Sequence, residues 1–336
     1  MAAGSLEEAL DVVPAAYREK ARAALAETFG PAAIGTVAPI RSGASAGAIL
    51  RVETGGRRYI VRVEGPPSPL RNPHQYVSLR MAAEAGIAPA VHHVDEANGV
   101  AVIDFIEPQP LAAYPGGPAA LARSLGELLG RLQATPVFPF FVDYPVIVGR
   151  LFGHVRRTGL FAAGRLDRHF DHLERLSAAY AARPPAPVSS HNDPVPGNIL
   201  FDGKRLWLID WESAYCNDPL VDVAIVLDNL APSPELEEML LLSWLGRAPD
   251  EAIRARLALV RALTRLYYAG VFLSASATRP RAIPEADLSA PTLAQFESSI
   301  RSGRLTRGTS ETTHVMGKMY LNGFLTGAAV PALGTP

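Results

Sequence analysis

The chain has 336 residues, which is long enough for two domains or for one large two-lobed unit. Hydrophobic residues make up 48% and charged residues 19%, which argues against a disordered chain. The 32 basic and 33 acidic side chains leave a formal charge of -1, which argues against a protein that binds nucleic acid by bulk electrostatic attraction. The single cysteine, Cys216, excludes an intramolecular disulfide and a cysteine-based zinc site, and the start of the sequence shows no export signal, so we expect a cytoplasmic protein.

The first hundred residues predict a small sheet with one inserted helix. An N-terminal helix over residues 5–29 is expected to end at Gly30, because glycine followed by proline stops a helix. Alternating apolar residues separated by turn signals predict two hairpins, with a helix between them. The predicted strands cover residues 48–53, 57–63, 91–94 and 100–105, and the inserted helix covers residues 74–85.

The rest of the chain predicts a larger, mainly helical part. We expect an N-terminal lobe over residues 1–106 and a C-terminal lobe over residues 107–336. The most apolar long stretch, residues 257–277, contains Arg261 and Arg265, and we interpret it as a core helix rather than a membrane span. The predicted helices surround a compact strand region at 187–211 and cover residues 118–134, 145–157, 165–182, 219–230, 234–245, 249–277 and two weaker segments beyond Pro291.

The strongest chemical signal is the run SSHNDPVPGNILFDGKRLWLIDWESAYCNDPLVD, over residues 189–222. It spaces a histidine, an aspartate and an asparagine as H-x-D-x4-N, and a second aspartate follows an apolar strand. Phosphoryl transfer needs a carboxylate that faces the acceptor hydroxyl, and an amide oxygen and a second carboxylate that hold magnesium. We therefore predict Asp193 as the base and Asn198 and Asp210 as the metal ligands.

Other interpretations of these residue types are less favoured. A polar loop in which Asp193 only caps a turn is the simplest, but chance rarely produces this spacing together with a strand-terminal aspartate. Ser45 lies in a G-x-S-x-G pattern, yet a hydrolase nucleophile needs a helix after it and a hairpin follows here. His169 and His172 could share a helix face but lack a third ligand, so we predict solvated surface. None of the three lysines follows a G-x-x-x-x-G pattern, which excludes a Walker A loop.

The strings HNDPVPGNIL and LIDWE resemble the aminoglycoside phosphotransferase and choline kinase superfamily, which are small-molecule kinases with a protein-kinase-like fold. The resemblance is dense over residues 189–224 and weaker in the sheet region. It implies an α+β, protein-kinase-like two-lobe fold, with a small antiparallel sheet and one inserted helix in the N-lobe, and with ATP and Mg²⁺ as cofactors. It also implies that His191 organises the catalytic loop. Pro194 stands where the family usually has leucine.

The same resemblance assigns the nucleotide to the N-terminal sheet. The loop between the first two strands would cover the phosphates, and its small residues allow a close backbone approach, although plain hairpin chemistry is the alternative. The segment YIVRVEG has arginine, Arg62, where many relatives have lysine, and the inserted helix has glutamine, Gln75, where the family usually has glutamate. Gln75 could hydrogen-bond Arg62 but cannot form an ion pair with it. The residues assigned to the nucleotide are Ser42, Gly43, Ser45, Gly47, Arg62, Gln75, Asp104 and Ile106.

The acceptor is expected beside the LIDWE string, where aromatic and acidic side chains follow Asp210. Such a mixture suits a quaternary ammonium, because aromatic faces and carboxylates both attract a cation. Helix capping is the alternative role of Asp218. We assign Trp211, Glu212, Tyr215 and Asp218 to the acceptor, and Glu212 looks like the choline-kinase variant of this segment. Choline or a related amino alcohol is the first candidate, and an aminoglycoside or another sugar is the second.

A pseudokinase-like nucleotide-binding regulatory protein is the alternative of another class. Gln75 and Arg62 suggest it, because both depart from the commoner residues at their positions. The intact Asp193, Asn198 and Asp210 argue against it, since a binder has no need to keep all three. The sequence therefore predicts an ATP-dependent phosphotransferase that acts on a small-molecule hydroxyl, with no nucleic-acid or membrane partner.

Overall fold

The computed structural model describes residues 10–30, 34–40, 47–66, 71–277 and 283–333. The chain divides into two compact units. The first unit runs to Leu111 and includes Leu200–Ala214, and the second comprises Ala112–Ile199 and the chain from Tyr215 onward. The sequence placed all of residues 107–336 in one lobe, and the structure differs because residues 200–214 belong to the first unit.

A five-stranded antiparallel sheet forms the centre of the first unit. The strands are β1 (Ile34–Pro39), β2 (Ala48–Thr54), β3 (Arg57–Val63), β4 (Val91–Asp95) and β5 (Val100–Asp104). Their order in the sheet is β1-β2-β3-β5-β4. The hairpin between β2 and β3 turns at Gly55 and Gly56, both with positive φ, which only glycine adopts without strain. Alternate residues of both strands are buried, as the period-2 pattern predicted.

Two helices flank this sheet. Helix α1 (Ala15–Phe29) joins the buried cluster of β2 and β3 through Leu25, and it ends at Gly30, whose φ is 81°. Helix α2 (Gln75–Glu84) is the inserted helix, and Gly86 follows it with a φ of 66°. Glycine at such a position ends a helix because the left-handed conformation carries no Cβ penalty.

The segment Leu200–Ala214 joins the first unit through backbone and side-chain hydrogen bonds. It contains most of the hairpin of β7 (Ile199–Phe201) and β8 (Leu206–Leu208). The N–H of Gln109 donates to the Phe201 carbonyl at 2.7 Å, and the N–H of Leu208 donates to the Ile87 carbonyl at 3.0 Å. At the far end, Asn72 and Ser78 both donate to the Ala214 carbonyl, at 2.6 and 2.7 Å. Each of these bonds joins residues that are distant in the sequence, so the sequence pattern did not predict them.

The second unit is mainly helical. Four of its helices begin after a residue whose side chain accepts a hydrogen bond from the backbone N–H three residues later. These residues are Ser233, Asp250, Thr292 and Thr309. A two-stranded antiparallel sheet pairs β6 (Val188–Ser190) with β9 (Tyr215–Asn217). The helices are α3 (Gly117–Gln133), α4 (Tyr144–Arg157), α5 (Asp167–Ala181), α6 (Leu220–Leu230), α7 (Pro234–Leu245), α8 (Glu251–Ser276), α9 (Leu293–Arg301) and α10 (Ser310–Thr326).

Helix α8 is the central helix of the second unit. By length and composition it is the one helix among the described residues that could cross a membrane, but it packs against α4, α6 and α10. Gly270 allows the close approach of α4, because a Cβ there would lie 2.7 Å from Leu151 Cγ. The buried Arg265 pairs with Asp228 at 2.8 Å. These contacts agree with the interpretation of this stretch as a core helix.

His169 corrects one prediction. Its ring lies 6.1 Å from that of Phe152 and stacks at 6.2 Å on that of Phe324, and only 5% of the residue is exposed. Burial lowers the pKa of His169 to about 4, and the nearby Arg168 adds to the effect. The prediction of solvated surface was wrong because α10 covers this face of α5, which the pattern of α5 alone does not reveal.

Candidate active site

The carboxylate of Asp193 is held by two side chains of the second unit. Asn198 lies in a short 3-10 turn that brings its amide back to the aspartate, where Nδ2 donates to Oδ2 at 3.1 Å and to the Asp193 carbonyl at 2.9 Å. The Tyr268 hydroxyl, on α8, donates to Oδ1 at 2.6 Å. Both carboxylate oxygens therefore accept hydrogen bonds from groups fixed in this unit.

Asp222 braces the loop that carries Asp193. It is fully buried in the first turn of α6, and its two oxygens accept the N–H groups of His191 at 2.8 Å and of Asn192 at 2.7 Å. Burial raises the pKa of Asp222 to about 6, although these backbone bonds favour the ionised form. His191 is itself fully buried, in keeping with a loop-organising role.

Asn192 is a site residue that the sequence analysis missed. Its Oδ1 accepts bonds from Ser190 at 3.0 Å and from Asn217 at 2.7 Å, and its Nδ2 donates to the Tyr215 carbonyl at 3.2 Å. Asparagine tolerates the left-handed conformation better than most residues, so the Asn of HND was the available signal.

Left-handed backbone marks both motif segments. In the described part of the chain, Asn192 and Asp210 are the non-glycine residues with positive φ, at 63° and 64°. Asn192 directly precedes Asp193, and Asp210 itself is one of the predicted metal ligands. Such strain persists where surrounding contacts over-determine the backbone, and it concentrates at functional sites.

Several aromatic side chains lie in this part of the second unit, and the charge of Asp193 acts on two of them, Tyr144 and Tyr268. The Tyr144 and Tyr267 rings lie 6.1 Å apart, and the Phe141 and Tyr215 rings meet edge to face at 5.5 Å. Burial raises the pKa of Tyr144 well above its ordinary value, and the nearby Asp193 adds to the effect. The Tyr144 hydroxyl is buried and has no hydrogen-bond partner among the described residues, which is unusual for a tyrosine in a protein interior.

The four residues assigned to the acceptor separate into different environments. Tyr215 belongs to the aromatic group just described. Trp211 is a core residue of the first unit, 4% exposed, and its indole N–H donates to the Leu208 carbonyl at 3.1 Å. Asp218 is fully buried, accepts the Leu220 N–H at 2.9 Å and pairs with Arg256 at 2.9 Å. Asp218 thus has the capping role, because a buried carboxylate occupied on both oxygens offers no face to an acceptor.

In the first unit, Arg62 forms ion pairs with two acidic residues of the predicted site. Its guanidinium pairs with Asp210 Oδ1 at 2.7 Å and with the carboxylate of Glu212, the fourth member of the acceptor assignment. The Arg62 side chain is 19% exposed, against 39% for Asp210 and 47% for Glu212. The strand cation and the IDWE string therefore form one ion-pair group.

Gln75 has a different partner from the one expected. Its Nε2 donates to Glu64 Oε1 at 2.5 Å, and Arg71 pairs with the other oxygen of Glu64 at 2.6 Å. The Glu64 side chain is 8% exposed. Gln75 therefore fixes the start of α2 to the end of β3, and the carboxylates that face Arg62 come from residues 210–212 instead.

The remaining nucleotide assignments lie near strand ends. A Cβ on Gly47 would come within 2.1 Å of the Val63 carbonyl oxygen, so the backbones approach too closely here for a side chain. Asp104, at the end of β5, accepts from His92 at 2.8 Å and lies 3.6 Å from Arg57. Ile106 is half-buried just beyond β5. The other three residues, Ser42, Gly43 and Ser45, lie outside the described residues.

The two predicted metal ligands are chemically suited to Mg²⁺. The amide nitrogen of Asn198 is used by Asp193, so the oxygen is the atom that can ligate, and the partly exposed Asp210 supplies a carboxylate. No cluster of three or more His, Cys, Asp or Glu side chains in the described ranges could hold a metal.

Comparison with known proteins gives consistent results. The model of the phosphotransferase enzyme family (APH) matches residues 36–259. Protein LicA of Haemophilus influenzae is 36% identical over 80 residues, which are 24% of this chain. The match spans 28% of LicA, so less than a third of this curated relative is covered.

Solved structures match over most of the chain. The choline/ethanolamine kinase family protein from Mesorhizobium loti has a TM-score of 0.63 and 22% identity, with 92% of this chain and 94% of that chain covered. Spectinomycin phosphotransferase APH(9)-Ia, in complex with ADP and spectinomycin, has a TM-score of 0.55 and 12% identity, with 88% and 96% covered. These similarities confirm the predicted α+β, protein-kinase-like fold, with its antiparallel N-terminal sheet and mostly helical C-terminal part.

Proposed function

Because the chain belongs to the phosphotransferase enzyme family, we propose that it is a small-molecule kinase that transfers the γ-phosphoryl group of ATP to the hydroxyl of choline or a related amino alcohol. The observation that carries the proposal is the Asp193 carboxylate, held by Asn198 and Tyr268 among aromatic side chains. A fixed carboxylate can orient a hydroxyl for in-line attack, and positioning is the main protein contribution to phosphoryl transfer.

In the proposed reaction Asp193 accepts the proton of the acceptor hydroxyl. A bond forms between the acceptor oxygen and the γ-phosphorus, and the bond from that phosphorus to the β,γ-bridging oxygen breaks. ADP leaves with the bridging oxygen, and Asp193 passes its proton to solvent. His191 and Asp222 take no part in the proton transfer; they hold the loop, as the Asp222 bonds to backbone N–H groups suggest.

We propose that a bound metal ion and one arginine side chain balance the negative charge of the nucleotide phosphates. Asn198 and Asp210 would hold Mg²⁺, which when bound offsets the phosphate charge. Arg62 would add a permanent positive charge, and Glu212 would keep its guanidinium oriented.

A cationic acceptor is proposed from the surroundings of Asp193. The aromatic residues Tyr144 and Tyr215 lie close to one another, and the carboxylate of Asp193 supplies negative charge beside Tyr144. A relative described as a choline/ethanolamine kinase family protein has the same fold, which supports this acceptor class. An aminoglycoside is the alternative, because the spectinomycin phosphotransferase shares the fold as well.

The test is a phosphorylation assay on the full chain with MgATP. The panel holds choline, ethanolamine, spectinomycin, kanamycin and 3,3-dimethyl-1-butanol, the uncharged isostere of choline. Two to three cation–π contacts at about 0.5 kcal/mol each predict a kcat/KM for choline about ten-fold above that of the isostere. Asp193→Asn should remove transfer, and Asp171→Asn, an exposed aspartate on α5, is the matched control.

Each result has a distinct meaning. Equal use of choline and its isostere would contradict the cationic site, and transfer only to spectinomycin or kanamycin would favour the alternative acceptor. Full activity of Asp193→Asn would overturn the assigned base. Magnesium-dependent ATP binding without transfer to any member of the panel would favour the regulatory binder suggested by Gln75 and Arg62.

A further inference from the structure

A buried group of charged side chains lies in the second unit, where α8 and α10 meet the chain around Glu285. His314 and Lys318 are one turn apart on α10, and each is 8% exposed. His314 Nε2 lies 2.7 Å from Glu285 Oε2, and Lys318 Nζ donates to Oε1 at 2.8 Å. One carboxylate therefore bridges two side chains of the same helix.

The other ring nitrogen of His314 faces a hydroxyl group whose hydrogen is already used. Ser276 is the last residue of α8, and its Oγ lies 3.2 Å from His314 Nδ1. A serine hydroxyl has one hydrogen, and that of Ser276 is donated to the Leu273 carbonyl at 3.0 Å. Ser276 Oγ is then an acceptor toward the ring, so Nδ1 must carry a hydrogen.

The Glu285 carboxylate places the same requirement on Nε2. Burial opposes the ionisation of Glu285, but the hydrogen bonds and charges of Lys318 and His314 outweigh it and lower the pKa of this carboxyl. Glu285 is thus an acceptor at neutral pH, and Nε2 must donate to it. A histidine that donates from both ring nitrogens is an imidazolium.

The other neighbours of His314 also favour a positive charge on its ring. The Phe161 ring stacks on it, with 5.9 Å between the centroids and 29° between the planes, and an aromatic face attracts a cation. The adjacent cavity, of about 480 Å³, is lined by the carboxylates of Glu311 and Glu285 as well. Among the described residues that line this cavity, Lys318 is the group that opposes a second positive charge, and Glu285 bridges the two.

Glu285 is also fixed by its backbone. Its N–H donates to the Leu160 carbonyl at 2.9 Å, and its carbonyl accepts the Ala162 N–H at 2.8 Å. Leu160 and Ala162 lie in the connection between α4 and α5. Through this one residue, the chain that follows α8 is therefore joined both to that connection and to α10.

We propose that His314 is an imidazolium at neutral pH and that Lys318, Glu285 and His314 form a pH-sensitive clamp, which holds residues 283–291 against α10. Loss of the ring proton at higher pH removes one donor and the charge that Glu285 attracts. The clamp then weakens, and the chain around Glu285 opens locally. These residues lie outside the candidate active site, so the inference does not depend on the acceptor.

Nitrogen-15 NMR of the full chain, labelled at histidine, tests the charge of the ring. The two nitrogens of an imidazolium resonate close together, whereas those of a neutral ring differ widely. His314→Gln assigns the signal, and the exposed His154 on α4 is the comparison. At neutral pH we expect the imidazolium pattern at His314 and a larger neutral fraction at His154. A neutral ring at His314 would overturn the inference.

Two variants separate the charges of the clamp from its packing. Glu285→Gln keeps the shape but removes the negative charge, so His314 should lose its proton at a lower pH than in the wild type. Lys318→Met removes the competing positive charge, so His314 should keep its proton to a higher pH. Either variant tests the inference if the other does not fold, and an unmoved titration in a folded variant contradicts it. Glu297→Gln, an exposed change on α9, is the control.

Hydrogen exchange measures the clamp itself. The Ala162 N–H is protected by the Glu285 carbonyl, so its exchange rate, relative to the intrinsic rate at the same pH, reports local opening. We expect His314→Gln to lower this protection by about ten-fold or more, because a hydrogen bond between charged groups is lost. The Ala134 N–H, which donates to the Gly130 carbonyl, should be unaffected. Unchanged protection of Ala162, in the variant or as the wild-type ring becomes neutral, would overturn the clamp.

Discussion

Arg62 and Glu212 form an ion pair between the third strand of the first unit's sheet and the turn that follows Asp210. In the sequence these residues belong to two separate strings, YIVRVEG and LIDWE. The expected partner of Arg62 was Gln75, which instead bonds Glu64. Glu212 therefore supplies the carboxylate that the inserted helix lacks.

Glu212→Gln should weaken ATP use more than stability. Glu212 is half-exposed, so the pair contributes at most about 1 kcal/mol to folding, but Arg62 loses an orienting partner. We expect KM for ATP to rise several-fold. A double-mutant cycle with Arg62→Lys, read from kcat/KM for ATP, should give a combined effect smaller than the sum of the single effects. Additive losses would show that the two residues act separately.

Gln75→Glu, which restores the residue usual in the family, should harm this protein. The new carboxylate would face the buried Glu64 at the place where Nε2 now donates. A lost bond and a like-charge contact predict destabilisation by about 2 kcal/mol, measured by urea unfolding. Glu64→Gln in the same chain should recover much of the loss. The exposed Gln109→Glu is the control, and a stability gain in Gln75→Glu would contradict the prediction.

Asp222 should contribute to the free energy of unfolding, and this contribution should fall as pH rises. Its pKa in the folded chain is raised to about 6, so the folded state binds a proton that the unfolded state has already released. The contribution is complete below about pH 4 and is lost as pH rises through 6. Relative to Asp222→Asn, the wild type should lose up to about 3 kcal/mol of unfolding free energy across this range. A pH-independent difference between the two would contradict the assignment.

Gly47→Ala should be destabilising although the change is a single methyl group. The added Cβ would overlap the Val63 carbonyl oxygen, and this backbone belongs to a paired strand that cannot move cheaply. We expect a loss of about 1 to 3 kcal/mol in thermal or urea unfolding. Gly149→Ala, inside α4 with its nearest neighbour 3.9 Å away, is the matched control and should be neutral or stabilising.

Most elements of the fold were predictable because their signals are local. Apolar alternation and turn residues identify the hairpin of β2 and β3, and capping residues and glycines locate the ends of α2 and α8. The motif spacing also located Asp193 and Asn198, which the structure brings into contact. Such features depend on residues that are close in the sequence, so one sequence is enough to predict them.

The missed features depend on contacts between distant residues. Strand β9 has three residues, too few for a periodic pattern, and it forms because β6 pairs with it. Tyr268 lies in an apolar helix where a tyrosine is typical of the core, and only the fold shows that its hydroxyl reaches Asp193. His169 is buried by α10, which follows more than a hundred residues later. Sequence pattern alone has no means of pairing such residues.

The discontinuous first unit has a consequence for synthesis on the ribosome. When residues up to Leu111 have emerged, Asn72 and Ser78 still lack the Ala214 carbonyl to which both donate in the finished protein. These two hydrogen bonds can therefore form only after the segment that carries Asp193 has been translated, because Ala214 follows it in the chain. The first unit can thus be completed only after the catalytic segment has been made, because Leu200–Ala214 belongs to it.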